Sequence, residues 1–557
     1  MTGIEAFLSI LSASGVKHLF GNPGTTELPF NDALAKFAEI DYIFGLHEIP
    51  VVSMADGFAQ ASGSVSVANV HIGCGLGNAM GMLYNAHVAG SPVLLTAGQQ
   101  DRRLLIEEPV LAADLVSVAR PWTKWAHEIQ RADDIPTVAR RAIQTALTPP
   151  MGPVFLALPV DVQLEARDSF ELSAARVPDH RIRPPVEATK KAAKLLLNAK
   201  NPAILAGSRA AESGGIAALV SVAEILGAKV FTECTTIHGR HPFPTNHSLA
   251  GERLVYWAPD LRKQLDGFDV LFVIGMNLLR MYIHHELERP IPESSRIVHL
   301  DSNAWEIGKN YGVEVSLLGD PKTGLEELAA VLCDQISAAQ KELALARNVQ
   351  HAQSRQQSRE SLQRKTAEQA SLRPLTPMVM MSAVAQALPR DVAIVDEGIT
   401  TTGTWLERLG ALPDPYGYFG QRGWALGWGL GFALGVKLAW PQRPVLALIG
   451  DGASLYGIQA LWTAAHHNIP VTFVICNNAQ YKILKDCGEL MPLPQMKERR
   501  YLAMDLVQPE IDFLSLAKGF GVEALRISEP EQLTQLVGQS LRENRLQLFD
   551  VAVGKSL

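Results

Sequence analysis

The sequence predicts an α/β protein of three doubly wound domains, each built on a parallel sheet. Three observations carry this reading. The 557 residues exceed what one hydrophobic core organises, so several domains are expected. Apolar runs of strand length alternate with longer helical patterns along the whole chain, and many runs end at Gly, Pro, Asp or Asn, as βαβ units do. Two stretches of different composition interrupt that alternation and divide it in three.

The runs read as strands lie at 67–70, 93–96, 154–158, 203–205, 270–274, 297–300, 392–395, 445–449 and 471–476. The first interruption, 165–187, is rich in charge and Pro and reads as a linker. The second, 338–375, has many Gln, Arg, Ser and Glu residues and few large apolar ones, and reads as a solvated helix followed by a linker. The domains expected are therefore roughly 1–165, 185–335 and 375–557. The first and third are alike in length and texture.

A net charge of -7 gives no footprint for nucleic acid or an acidic membrane surface. The five cysteines (Cys74, Cys234, Cys333, Cys476, Cys487) are odd in number and scattered, which argues against a disulfide framework or a zinc site. The first residues, MTGIEAFLSILSASG, lack a basic leader and read as an amphipathic helix rather than a signal peptide. A soluble, cytoplasmic protein is the expectation.

The strongest chemical signal is VLALIGDGASLYGIQALWTAAHHNIPVTFVICNNAQYKILK, residues 445–485. One apolar strand ends at Gly450-Asp451-Gly452, a helix follows, and a second strand ends at Asn477-Asn478. Ligands of open parallel sheets sit at the carboxyl ends of strands, so adjacent strand ends can present Asp451 and Asn478 to one cation. A hard ion such as Mg²⁺ takes a carboxylate, an amide oxygen, a backbone carbonyl and diphosphate oxygens. The glycines let the backbone approach phosphates, and the helix N-terminus favours their charge. GDG alone serves equally as a strand–turn–helix connection. The paired Asn beginning 26 positions after Asp451 (477 − 451), with Asn478 at 27, makes the pattern specific. It matches the motif by which proteins hold thiamine diphosphate.

That cofactor needs a carboxylic acid against its pyrimidine ring, hydrogen-bonded to a ring nitrogen. Glu48 fits. It lies in YIFGLHEIPVVSMADGFAQASG, where an apolar strand gives way to a helix with small residues at Ala55, Gly57 and Ala59. By itself such a Glu would read as a helix-start residue favoured by the dipole; beside the 445–485 segment the functional reading is preferred.

These motifs, with 20–30 (FGNPGTTELPF), 54–60 (MADGFAQ), 71–80, 96–100 (TAGQQ), 460–465, 468–470 and 512–522, give a resemblance over almost the whole chain. The sequence resembles the thiamine diphosphate-dependent decarboxylase and acetolactate synthase superfamily, and within it is most similar to benzoylformate decarboxylases. The resemblance implies pyrimidine-binding, central and diphosphate-binding domains. It implies thiamine diphosphate and Mg²⁺ held between two subunits, so that Glu48 of one chain completes the Asp451 site of another. A dimer is then the minimum unit and a tetramer is usual.

The same resemblance assigns further residues. Leu426 falls where a large apolar side chain wedges the cofactor, although a core Leu in the glycine-rich helix 426–435 would be as buried. The backbone near Trp424 accepts from the cofactor amino group. Thr400 and Thr401 fall near the diphosphate, or are helix caps. Ala453 and Ser454 follow the GDG turn, Gln480 offers a carbonyl to Mg²⁺, and Tyr481 and Leu484 line the cavity. Acid–base work on the substrate falls to His71, which opens HIGCGLGNAM, and Thr25 stands by the substrate carboxylate. A second catalytic His has two candidates, His284 and His285, in GMNLLRMYIHHEL, with Tyr282 at the aligned place. Val110 and Leu111 keep an apolar pocket wall. Gln421, Arg422, Lys482, Asp486 and Cys487 depart from the benzoylformate decarboxylase pattern; an Arg or Lys in the pocket favours a second anionic group on the substrate, or Arg422 and Lys482 are surface salt-bridge partners.

The reaction expected is decarboxylation of a bulky, benzoylformate-like 2-oxo acid to an aldehyde and CO₂, with carboligation open to the same enzyme. An acetolactate synthase-like carboligase acting on pyruvate is the alternative. A nucleotide-binding module without this chemistry is a third reading, against which Glu48, Asp451 and Asn478 speak.

Overall fold

The structure, a computed structural model, describes residues 1–234, 238–285 and 289–555. It contains three six-stranded, wholly parallel sheets. The first is built from β1 (His18–Gly21), β2 (Asp41–Phe44), β3 (Ser66–Val70), β4 (Val93–Gln99), β5 (Trp125–Glu128) and β6 (Val154–Pro159), in the order β2-β1-β3-β4-β6-β5. The second comprises β7 (Pro202–Ala206), β8 (Lys229–Thr232), β9 (Ala250–Arg253), β10 (Val270–Ile274), β11 (Arg296–Asp301) and β12 (Val315–Leu318), ordered β12-β11-β10-β7-β8-β9. The third holds β13 (Ala393–Glu397), β14 (Tyr418–Gly420), β15 (Val445–Gly450), β16 (Thr472–Asn477), β17 (Glu523–Ile527) and β18 (Gln547–Ala552), ordered β14-β13-β15-β16-β18-β17. All nine runs read as strands form strands.

The central strands are buried along their length, which is why they read as unbroken apolar runs instead of alternating ones. Residues 169–185 form neither helix nor strand, and Ala338–Gln369 is a single helix whose only buried residues are Ala344 and Leu362. Among the described residues no helix is long and apolar enough to cross a membrane.

The first and third sheets share one strand order, with each strand of the third twelve numbers after its counterpart. The helices that follow the second strand of each sheet, Glu48–Ser62 and Trp428–Ala439, are therefore counterparts, and they cross each other in a continuous core containing Val51, Met54, Phe432 and Leu434. Glycine permits the approach: a Cβ on Gly435 would lie 2.0 Å from the Met54 carbonyl oxygen, and one on Gly57 2.1 Å from that of Phe432. Trp428 Nε1 donates to buried Asp56 at 2.8 Å across the same contact. The second sheet keeps separate apolar clusters.

Candidate active site

Two groups of side chains gather at strand ends of the first and third sheets. In the first sheet, Glu48 opens its helix and is 7% exposed. Its Oε2 accepts from Asn78 Nδ2 at 3.1 Å, and a Cβ on Gly75 would stand 2.9 Å from its Oε1. The carboxyl group is thus fixed between two helix starts, with the dipole of its own helix favouring negative charge. His71 follows β3 and caps the neighbouring helix Ile72–Ala89. A Cβ on Gly24 would meet its ring at 2.0 Å, so only glycine fits behind the imidazole.

Glu27, which the sequence reading did not single out, holds His71. It is 1% exposed, and its Oε2 lies 2.7 Å from His71 Nδ1 and accepts from Gly24 N at 3.1 Å. Its Oε1 accepts from Gly98 N at 2.7 Å and Thr26 Oγ1 at 2.9 Å. With Glu27 as a carboxylate, the network puts the proton on Nδ1, which leaves Nε2 as the unprotonated nitrogen of a neutral ring. Thr25 is exposed beside this pair. The Leu111 carbonyl lies over the start of the His71 helix, 3.2 Å from where a Gly73 Cβ would be, and Val110 and Leu111 are 79% and 41% exposed.

Glu27→Gln keeps one oxygen acceptor for Gly98 N and turns its NH2 toward the Gly24 N and His71 Nδ1 side, which removes the charge that holds the imidazole. We expect kcat to fall about 10²-fold, the scale of one acid–base group, with cofactor affinity unchanged. Glu27→Asp should recover part of the loss. Steady-state kinetics with a cofactor titration checks this, and an unchanged kcat would deny the pair a role.

In the third sheet, Gly450 ends β15 and Asp451, Gly452, Ala453 and Ser454 form the single helical turn that follows it. Asp451 Oδ1 accepts from Gly452 N at 2.8 Å and Oδ2 from Ala479 N at 2.6 Å, joining the ends of β15 and β16. Burial pushes its carboxyl up to about 6. Asn478 is 8% exposed and its Oδ1 accepts from Gln480 N at 3.1 Å. The Gln480 side-chain oxygen is taken by Lys485 Nζ at 2.7 Å, leaving the backbone carbonyl as this residue's oxygen for a cation. Tyr481 closes over Gly452, where a Cβ would meet its ring at 2.5 Å. A cavity of about 330 Å³ opens at Asp451, Asn478 and Ala479.

The donors fit a divalent hard cation and its diphosphate. One buried carboxylate and an amide oxygen at adjacent strand ends are oxygen ligands of the kind Mg²⁺ takes, and the carboxyl raised by burial is one that a cation would ionise. Leu484 is 44% exposed on the helix Lys482–Leu490, where Lys482 pairs with Asp486.

Several expectations are corrected. Leu426 precedes the helix, which begins at Trp428 after the left-handed Gly427. The cause is Glu397, another residue not singled out. It is 1% exposed, and its carboxyl accepts from the N–H groups of Gly427 (2.9 Å), Trp428 (3.2 Å) and Gly429 (2.7 Å), a cap reached from the end of β13. Burial pushes it up to about 8. Thr400 and Thr401 do not start a helix but lie in the turn 398–404, before the helix Trp405–Leu409. Gln421 donates to Glu397 Oε1 (3.1 Å) and the Ala425 carbonyl (2.6 Å), an interior brace. Arg422 is 6% exposed and stands 3.4 Å from Glu212 and 3.5 Å from Glu233, so of the two roles open to it the structure gives the ion pair. Tyr282, not either His, lies against Trp424, with ring centroids 5.8 Å apart. His285 stacks edge-on to Trp257 at 4.9 Å, and His284 is exposed.

Among the described residues no hydrogen bond or ion pair joins Glu48 or His71 to Asp451 or Asn478. Asn85 binds both backbone groups of Ala425, at 3.1 and 2.8 Å, and so fixes the Trp424–Leu426 segment against the far end of the His71 helix. At 1.5 Å per residue, Asn85 lies roughly 21 Å along that helix from His71.

Comparison with known proteins places these features in a family. The description "Thiamine pyrophosphate enzyme, N-terminal TPP binding domain" matches residues 1–116, its central domain 189–328 and its C-terminal TPP binding domain 398–551. A benzoylformate decarboxylase of Pseudomonas aeruginosa is 33% identical over 98% of both chains. A probable acetolactate synthase large subunit of Methanocaldococcus jannaschii is 29% identical over 99% of this chain and 92% of its own. Among solved structures, the benzoylformate decarboxylase of Polynucleobacter necessarius superposes with a TM-score of 0.86 at 28% identity, covering 100% and 99% of the two chains. The 4-hydroxybenzoylformate decarboxylase of Rhodococcus jostii RHA1 gives 0.84 at 28% identity, covering 100% of each chain.

Proposed function

The chain belongs to the thiamine pyrophosphate enzyme family, and from that premise we propose that it decarboxylates a bulky, benzoylformate-like 2-oxo acid with thiamine diphosphate and Mg²⁺. The observation that most supports this is the pairing of a fixed, buried Glu48 with a held His71 at one set of strand ends, and of Asp451 with Asn478 at the other. When bound, thiamine diphosphate supplies the carbon nucleophile and the electron sink for loss of CO₂.

The protein's own residues do the rest. Asp451, Asn478 and the Gln480 carbonyl hold the cation, and the turn Gly450–Ser454, with Thr400 and Thr401, presents N–H and hydroxyl groups to the diphosphate. Leu426 and the Trp424 backbone orient the rings. Glu48, oriented by Asn78, exchanges a proton with the pyrimidine ring. His71 Nε2 moves a proton at the substrate carbon or oxygen, and Thr25 binds the substrate carboxylate. Val110, Leu111 and Leu484 exclude water from an apolar pocket. No step in this scheme is assigned to His284 or His285.

In this reading the working site is formed by two copies, the first group from one and the second from the other, as the family resemblance implies. The 79% exposed Val110 and 44% exposed Leu484 are then surfaces that association covers.

The test is CO₂ release by purified protein with thiamine diphosphate and Mg²⁺, offered benzoylformate, branched 2-oxo acids and pyruvate. Aldehyde from an aromatic or branched acid is the expected product. Acetolactate from pyruvate with none of these aldehydes would replace the decarboxylase reading by a carboligase one.

A further inference from the structure

A buried polar cluster joins the second sheet to the third, behind the segments that seat the cofactor. Arg253, at the end of β9, binds Glu407 of the Trp405–Leu409 helix and donates to the Tyr418 hydroxyl at 3.3 Å. Tyr418 donates to Asp396 Oδ2 at 2.7 Å, and Asp396 Oδ1 accepts from Gly398 N at 3.0 Å. Arg253, Glu407 and Tyr418 are 7%, 5% and 2% exposed, so the charges are withdrawn from water and their partners must be right. His238 and His241, both 3% exposed, face Glu407 at 4.0 and 3.9 Å, and neither ring has a hydrogen bond among the described residues. A cavity of about 40 Å³ lies between His238, Arg253, Asp396, Thr402 and Trp424, room for an ordered water. The two parts of the chain are stitched here by Gly420 N donating to Gly239 O at 2.7 Å.

The direction of the chain of bonds matters. Arg253 donates to the Tyr418 oxygen, so the Tyr418 proton points to Asp396, and both Asp396 oxygens are left as acceptors. One of them fixes the first N–H of the turn 398–404. We propose that Arg253 and Tyr418 are positioning residues for cofactor binding: through Asp396 they set the conformation of the turn carrying Thr400 and Thr401, so that the central part of the chain controls how tightly the diphosphate end is held. This rests on the thiamine diphosphate reading of that turn.

The experiment titrates thiamine diphosphate with Mg²⁺ into the full-length protein, followed by tryptophan fluorescence, beside kcat at saturating cofactor and the melting temperature of the cofactor-free protein. Arg253→Met should weaken cofactor affinity about tenfold, as loss of one charge-assisted hydrogen bond predicts, with kcat at saturation within about twofold. Arg253→Lys should recover part of the affinity. Tyr418→Phe, which keeps the packing, should weaken it in the same direction and carries the test alone if Arg253→Met does not fold. Unchanged affinity with only a lowered melting temperature would reduce the cluster to an interdomain brace and overturn the proposal. Failure of the unaltered protein to bind thiamine diphosphate would overturn the cofactor reading beneath it.

Discussion

Glu48→Gln is expected to slow CO₂ release about 10³-fold, roughly 4 kcal/mol of barrier, while thiamine diphosphate affinity stays within a few-fold. Gln has the size of Glu and can sit between Asn78 and Gly75 without opening a cavity. It cannot exchange a proton with a ring nitrogen. Binding should survive because the charged end of the cofactor is held elsewhere, by Asp451, Asn478 and the turn 450–454. Asn78→Ala should give a smaller loss, since it removes only the 3.1 Å contact that orients Oε2. Single-turnover CO₂ release beside a cofactor titration separates the two quantities. If Glu48→Gln keeps more than a tenth of the rate, Glu48 is a helix-start residue and no more.

How much was legible follows from how local each feature is. Asp451 and Asn478 stand one strand–helix–strand unit apart, so turn glycines and apolar runs place both at neighbouring strand ends before any contact is known. Glu48 was legible only as a helix start, and its link to the other motif came through family resemblance. Glu27 was not legible. Nothing near GNPGTTE says that its carboxylate meets His71, 44 positions on, and the backbone N–H of Gly98. Glu397 was missed for the same reason, and with it the cap that delays the following helix to Trp428. Arg422 stayed open between two roles in the sequence because both carboxylates beside it belong to the second domain. A charge in a loop near an expected pocket reads alike whether it faces ligand or an interior partner.

The shared strand order of the first and third sheets was visible only as likeness of length and texture. The reason is that equivalent positions carry different residues. The third strand of one sheet ends at His71 and that of the other at Gly450-Asp451, one a proton-transfer group and the other a cation ligand. Topology is repeated while chemistry has diverged. The pairing of the Glu48 and Trp428 helices follows from the repeat, since counterpart elements meet at the contact between the two sheets.

The last consequence is a complementation between two inactive proteins. Asp451→Asn removes the only carboxylate among the proposed cation ligands, and is expected to weaken Mg²⁺-dependent binding of thiamine diphosphate at least about 100-fold, with matching loss of activity. Glu48→Gln binds the cofactor but does not turn over. If each site takes Glu48 from one chain and Asp451 from another, a mixed dimer of the two variants carries one doubly damaged site and one intact site. Random assortment makes half the dimers mixed, so co-expression should restore about one quarter of full activity, from parents that each have almost none. If Glu48 and Asp451 served the same site from the same chain, every site in every dimer would carry one lesion and the mixture would stay as inactive as its parents. Differently tagged chains, purified through both tags, would be enriched in mixed dimers and should show more than about one quarter, and up to about half, of the activity per chain. No recovery in that preparation would place Glu48 and Asp451 in one site of one chain and remove the two-copy reading.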